Sequence, residues 1–264
     1  MATVTDIALT ADCSRCFGLC CVLLPITRSA DFAQGKPGGQ PCTHLREDDL
    51  CAIHDDLDAR GWHGCTVFDC FGAGQQVSQV TYAGHGWRDA PVTEMAAVFS
   101  AMRVVHEMLA HVREVRRRAP SPAADVLWEH LVEITGAEPE GVLAVDLDAL
   151  HDRVGTVLGN ASSELRGDGP RPGRDLAGHD LRGHHLRRAD LRGALLIGAD
   201  LRDADLTLTD LLGADLRDAD VRGARLDDAL FLTQPQVNAA RGDASTTLPA
   251  GIVRPGGWNP QMRN

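Results

Sequence analysis

RDLAG HDLRG HHLRR ADLRG ALLIG ADLRD ADLTL TDLLG ADLRD ADVRG ARLDD ALFLT, running from Arg174 to Thr233, is a stretch with a period of five. Its twelve units centre on Leu176, Leu181, Leu186, Leu191, Leu196, Leu201, Leu206, Leu211, Leu216, Val221, Leu226 and Phe231, and the position two before the centre is usually Ala. A helix repeats every ~3.6 residues and a strand every ~2, so neither can keep those apolar centres on one side. The chain must turn at every repeat.

Upstream, GDGPRPG at residues 167–173 breaks any helix that enters it and acts as a linker. The units resemble the pentapeptide-repeat family, whose A(D/N)Lxx units form a right-handed β-helix of square cross-section, four repeats to a coil. The resemblance implies that the central residue and the small residue before it face inward, with coils stacked at about the 4.8 Å spacing of neighbouring strands. Twelve units then make about three coils. The implied columns are Leu176, Leu196 and Leu216; Leu181, Leu201 and Val221; Leu186, Leu206 and Leu226; Leu191, Leu211 and Phe231, with Phe231 suited to cap the open end. The following FLTQPQVNAARGDASTTLP resembles the terminal segment seen after such repeats, with a short helix around Gln236–Ala240. It would cover strand edges that a solenoid must protect from self-association.

Before the linker, residues 89–166 read as helical. Asp89 and Pro91 are start signals, and Met95, Val98, Phe99, Met102, Val105, Leu109 and Val112 follow at helical spacing. Ser121 and Pro122 form an N-cap and first-turn pair for a second helix through Leu127, Leu131 and Ile134, stopping near Gly136. A third starts near Asp146, with Leu147, Leu150, Val154, Leu158, Ala161 and Leu165 along one face.

All eight cysteines fall between Cys13 and Cys70. The order is CxxCxxxCC at Cys13, Cys16, Cys20 and Cys21, then Cys42, Cys51, Cys65 and Cys70. A CxxC turn brings two sulfurs to one side, at about 2.3 Å from a shared metal ion. Side chains of adjacent Cys20 and Cys21 diverge, so the pair is expected to serve different ions or different corners of a cluster. Eight thiols make two four-ligand sites or one polynuclear centre. The order CxxCxxxCC, CTHL, DLCAIH, GCTVFDC resembles the CxxCxxCC-type family of zinc- or iron-chelating domains, though three residues rather than two separate Cys16 from Cys20. It implies zinc or iron, including an iron–sulfur cluster, with one or more metal ions, and four thiolates suit all of these. His44, His54 and His63 lie among the cysteines and read as surface residues. His106 and His111, five apart on one helix and so about 140° around its axis, are not expected to share a metal. His179 and His184 replace the inward Ala of the first coil, where half-covered positions accept polar residues.

The expected fold class is therefore α+β multidomain. A Cys-rich metal-binding domain over 1–88 and a helical connector over 89–166 lead through the linker 167–173 to a short right-handed quadrilateral β-helix of about three coils over 174–233, with a cap and tail over 234–264.

Composition narrows the function. A net charge of −11 argues against a nucleic-acid or anionic-membrane binder. No run is long and apolar enough for a membrane span, and Met1–Asp12 lacks the basic start and apolar core of a signal peptide. The expectation is a cytoplasmic protein, where thiols stay reduced and serve as metal ligands or redox groups. Aromatic residues are only 4% of the chain, in keeping with helices plus a thin repetitive element. No Ser-His-Asp pattern, P-loop or GxGxxG loop stands out. The leading function is a metal-stabilised scaffold for a protein or peptide partner, of no assigned oligomeric state. The alternative is an iron-dependent redox or oxidative enzyme acting on a peptide docked on the β-helix. A DNA mimic that protects topoisomerases is a minor third, because Arg174–Thr233 holds twelve Asp against nine Arg and spans too few coils.

Overall fold

The computed structural model describes residues 7–258. They form two compact units, with the boundary after Leu158. Part of the Met1–Asp12 leader reading, and the tail beyond 258, lie outside the described residues.

In the first unit the helices are α1 (Leu19–Leu23), α2 (His63–Thr66), α3 (Ala73–Gln76), α4 (Val92–Arg118), α5 (Pro122–Thr135) and α6 (Pro139–Leu143). A further helix, α7 (Leu147–Arg166), crosses the unit boundary. The three long helices lie where their apolar spacing put them. Glu94 in the first turn of α4 and Arg116, Arg117 and Arg118 in its last match the helix dipole. Ser121 Oγ accepts the Ala124 N–H at 3.3 Å and caps α5, and Asp146 Oδ1 accepts that of Ala149 at 3.0 Å before α7. The short α6 was not expected; Pro139 opens it, and its Val142 joins the main core. That core combines Leu19, Val22 and Leu23 of α1 with Ala73, Val77, Met95, Val98, Phe99 and Met102. Residues from the segments 1–88 and 89–166 thus build one core. A second, smaller cluster, Ile53, Leu57 and Trp62, lies among the later cysteines.

In the second unit the period of five has a backbone cause. In ten consecutive units the fifth residue has positive φ: Gly178, Gly183, Gly193, Gly198, Gly213 and Gly223, and also Arg188, Asp203, Leu208 and Asp218. Each is the third residue of a turn closed from the first residue of the next unit, as in Ala194 N–H to Leu191 O at 3.0 Å. Such turns require a left-handed residue at this place, which glycine adopts without strain. The Asp of each unit has its own task. Its Oδ1 accepts the N–H two residues on, as Asp200 does from Arg202 at 3.2 Å and Asp210 from Leu212 at 2.9 Å.

Parallel bridges then tie residues twenty apart: Asp175 to Leu195 to Asp215, Asp180 to Asp200 to Asp220, Asp190 to Asp210 to Leu230, and Asp205 to Arg225. The expected columns are therefore present, and their Leu and Ala residues form one buried core. Among the described residues no rung lengthens into a strand, because a turn every five residues leaves only a single bridge per face. After the last unit, α8 (Gln234–Ala239) begins with a capping box from Thr233 to Gln236. Arg241 and Thr247 extend the ladder as partners of Asp220 and Arg225, and Trp258 Nε1 donates to Ala240 O at 3.2 Å. The tail covers exposed edges as expected. Phe231 is buried, though its φ of 59° falls outside the regular turn position.

Buried polar groups fix one face of the stack. Asp210, 1% exposed, accepts from Ser162 Oγ at 2.5 Å and Arg192 at 2.9 Å. Arg166 reaches Arg188 O at 3.1 Å and Asp190 at 3.3 Å.

Candidate thiol centres

The turn Cys13–Arg15 opens on Asp12, whose Oδ1 accepts the Ser14 N–H at 3.1 Å and fixes the CxxC loop. One helical face after the last cysteine holds this loop from behind. Gln75 Oε1 accepts the Asp12 N–H at 3.1 Å, and its Nε2 donates to Thr10 O at 2.8 Å. Ser78 Oγ donates to Cys16 O at 2.9 Å and Gln79 Nε2 to Arg15 O at 2.8 Å. Ser78 and Gln79 lie in a π-helical turn, Val77–Thr81, a rare geometry that often marks functional sites.

The thiols gather in two neighbourhoods. Cys13, Cys16, Cys20 and Cys70 line one small cavity, together with Asp12, Gly74, Gln75 and Phe99. A Cβ on Gly74 would lie 2.9 Å from Cys16 Cβ, 3.5 Å from Cys16 Sγ and 3.7 Å from Cys70 Sγ. Glycine there keeps open the space on which the two sulfurs converge. Cys42, Cys51 and Cys65 instead pack against the Ile53, Leu57 and Trp62 cluster. Cys21 belongs with them, since the Cys42 N–H donates to Cys21 O at 2.9 Å. Cys20 and Cys21 are consecutive on α1, with sulfurs 4.0 Å apart. Each neighbourhood thus takes one member of the pair.

Electrostatics couple the two neighbourhoods through the Cys20–Cys21 pair. A hydrogen bond from Cys13 lowers the Cys16 thiol to about 7, with further help from the Leu19 and Gly18 N–H groups, while Cys13 is raised. Burial raises Cys70 against the N–H groups of Gly74 and Gly72. Burial pushes Cys65 up to about 12, and Cys21, Cys42 and Cys51 add to it. The Lys36 ammonium is the opposing charge there. It donates to Val22 O at 2.9 Å and Leu24 O at 2.5 Å, and it feels Cys42, Cys21, Cys20 and Cys65.

The donor set and the Gly74 cradle fit a thiophilic ion such as zinc or iron. Among the described residues no three His, Cys, Asp or Glu side chains already stand in ligating geometry. None of the histidines lines the cavity of the first group. His44 meets the Trp62 ring edge-on at 5.2 Å, His63 Nδ1 lies 2.8 Å from Asp58, and His54 is exposed. His106 is fully buried, with Nδ1 at 2.8 Å from Phe71 O. His179 and His184 are both exposed, as half-covered first-coil positions allow.

Sequence reading missed Lys36, Gln75, Ser78, Gln79 and Gly74. The spacing of Gln75, Ser78 and Gln79 at i, i+3 and i+4 was the available signal for a shared helical face.

The second unit carries pentapeptide repeats: the family model for pentapeptide repeats matches eight copies, over residues 175–207, 185–223 and 194–231. The chain is also 48% identical, over 264 aligned positions covering 95% of each chain, to the uncharacterized protein YybG of Bacillus subtilis (strain 168). That coverage takes in both units. Among the described residues no helix is long and apolar enough to cross a membrane.

Proposed function

We propose that this chain is a zinc- or iron-binding scaffold: its thiols hold metal in the first unit, and its repeat stack offers faces to a protein or peptide partner. The observation that carries the reading is the gathering of Cys13, Cys16, Cys20 and Cys70 around one cavity and of Cys42, Cys51 and Cys65 around one apolar cluster, with the Cys21 carbonyl bonded to the Cys42 N–H. The stack is read as a right-handed quadrilateral β-helix, in keeping with the bridges at twenty-residue intervals. Its carboxylates are largely spent on the chain itself. Asp180, Asp200, Asp215 and Asp220 each bond the Arg two residues on. Such neutralised faces support a protein partner over nucleic-acid mimicry, and reduced thiols support a cytoplasmic site of action.

A second reading, an iron-dependent redox enzyme acting on a docked peptide, draws on one observation: Cys13 is exposed, so its group has a solvent-facing side. Metal analysis with an absorption spectrum on anaerobically purified protein tests both. Stoichiometric zinc without visible bands supports the scaffold and sinks the oxidative reading. Iron with thiolate-to-iron bands counts against a purely structural site and favours the oxidative reading, and absence of bound metal overturns both.

A further inference from the structure

We propose that the two thiol groups are separate and unequal metal sites: Cys21, Cys42, Cys51 and Cys65 hold their ion permanently beside Lys36, whereas Cys13, Cys16, Cys20 and Cys70 exchange theirs through Cys13. The inference rests on the metal-binding reading and adds to it a division of labour.

The two sites meet at Cys20 and Cys21, whose sulfurs lie 4.0 Å apart, and their other members diverge from there. Cys20 and Cys70 pack against the core of α1 and α4, while Cys42, Cys51 and Cys65 pack against Ile53, Leu57 and Trp62. Cys21, Cys42, Cys51 and Cys65 are all partly exposed, and the last three rest on that cluster, in which Trp62 is 4% exposed and also meets Phe32 edge-on at 6.1 Å. The first site differs in having one exposed member. Cys13 is exposed, and it stands in a three-residue turn at the edge of the cavity.

Charge acts in the same direction. Four thiolates around a divalent ion leave two excess negative charges, which a partly buried site must offset by hydrogen bonds or a cation. Lys36 supplies that cation to the second site, and two backbone carbonyls fix its ammonium. The first site instead feels the carboxyls of Asp12 at Cys16 and Asp69 at Cys70. Its compensation comes from the N–H groups of Gly18, Leu19, Gly72 and Gly74. In exchange, a donor atom of the incoming chelator binds the ion, the Cys13 sulfur leaves, and the released thiolate takes a proton from solvent. No electron moves.

The test is zinc release from the full chain, loaded with zinc under anaerobic conditions and mixed with excess chelator. The expected trace has two phases of equal amplitude, with rates about tenfold or more apart. Cys13→Ser and Gly74→Ala each remove the fast phase and leave the slow one. Lys36→Met, which keeps the apolar stem, speeds the slow phase and leaves the fast one unchanged. A single phase of full amplitude overturns the inference, as does loss of the same phase from Cys13→Ser and Cys65→Ser. Gly74→Ala and Lys36→Met keep the test decisive if a cysteine variant fails to fold. A wild-type chain that binds no zinc or iron is a different failure, because it removes the metal-binding reading itself.

Discussion

Between Pro25 and Phe71 the regular structure of the described backbone is limited to three short helical segments (His54–Asp56, Asp58–Arg60 and His63–Thr66) and two isolated bridges, Ile26 to Lys36 and Leu45 to Cys51. The second unit repeats one left-handed turn in ten consecutive units and stacks the results at twenty-residue intervals. The repeat region closes its turns with local bonds and buries an apolar centre in each unit, so its order grows by accumulation. The cysteine region buries only Ile53, Leu57 and Trp62 as a cluster of its own. So small a core rarely offsets chain entropy without cross-links or metal. One region is held by periodicity and the other, on the proposed reading, by metal on thiols gathered from distant points in the chain.

This contrast breaks if damage to the repeat also empties the thiol sites. Leu201→Ala, at a fully buried centre of the stack, is expected to cost about 4 kcal/mol. Calorimetry should show one transition falling while zinc or iron content stays unchanged. Asp210→Ala strips Arg192 and Ser162 of their shared carboxylate and is expected to cost about 3 kcal/mol in the same transition.

Acid sharpens the comparison from the other side. Burial lowers the His106 pKa from 6.5 to about 4, against the bond to Phe71 O. As pH falls, the unfolded chain takes up the proton first, so the stabilisation is complete above about pH 6.5 and is lost on descent through pH 4. The first unit should lose about 2 to 3 kcal/mol between pH 7 and pH 4 from this group. His106→Asn should flatten that part of the profile, and the repeat transition should not respond to the substitution. The smallest effect is expected from Ser78→Ala, which leaves the carbonyl of Cys16 without its buried donor, at a cost of about 1 kcal/mol. Its signature is faster zinc release without a change in the repeat transition.

Legibility in the sequence follows the same divide. The columns through Leu176, Leu181, Leu186 and Leu191 could be read directly, because a period of five admits few backbone solutions. Helices α4, α5 and α7 were equally readable from apolar spacing and from Ser121 and Asp146 as caps. What could not be read was the absence of extended strands, which follows from how little chain lies between successive turns. The division of Cys20 from Cys21 was inferred from the divergence of adjacent side chains. Their companions were not, because which distant thiol joins which is set by tertiary packing around Phe99 and Trp62. Lys36 and Gly74 were invisible for the same reason: a lone Lys and a lone Gly carry no periodic signal.

Hydrogen exchange on the full chain, with and without a strong chelator, tests the central contrast most directly. The account predicts that chelation strips protection from amides between Cys13 and Cys70 and leaves those between Leu176 and Thr247 as slow as before. Unchanged exchange around the cysteines, or equal loss in both regions, would contradict it.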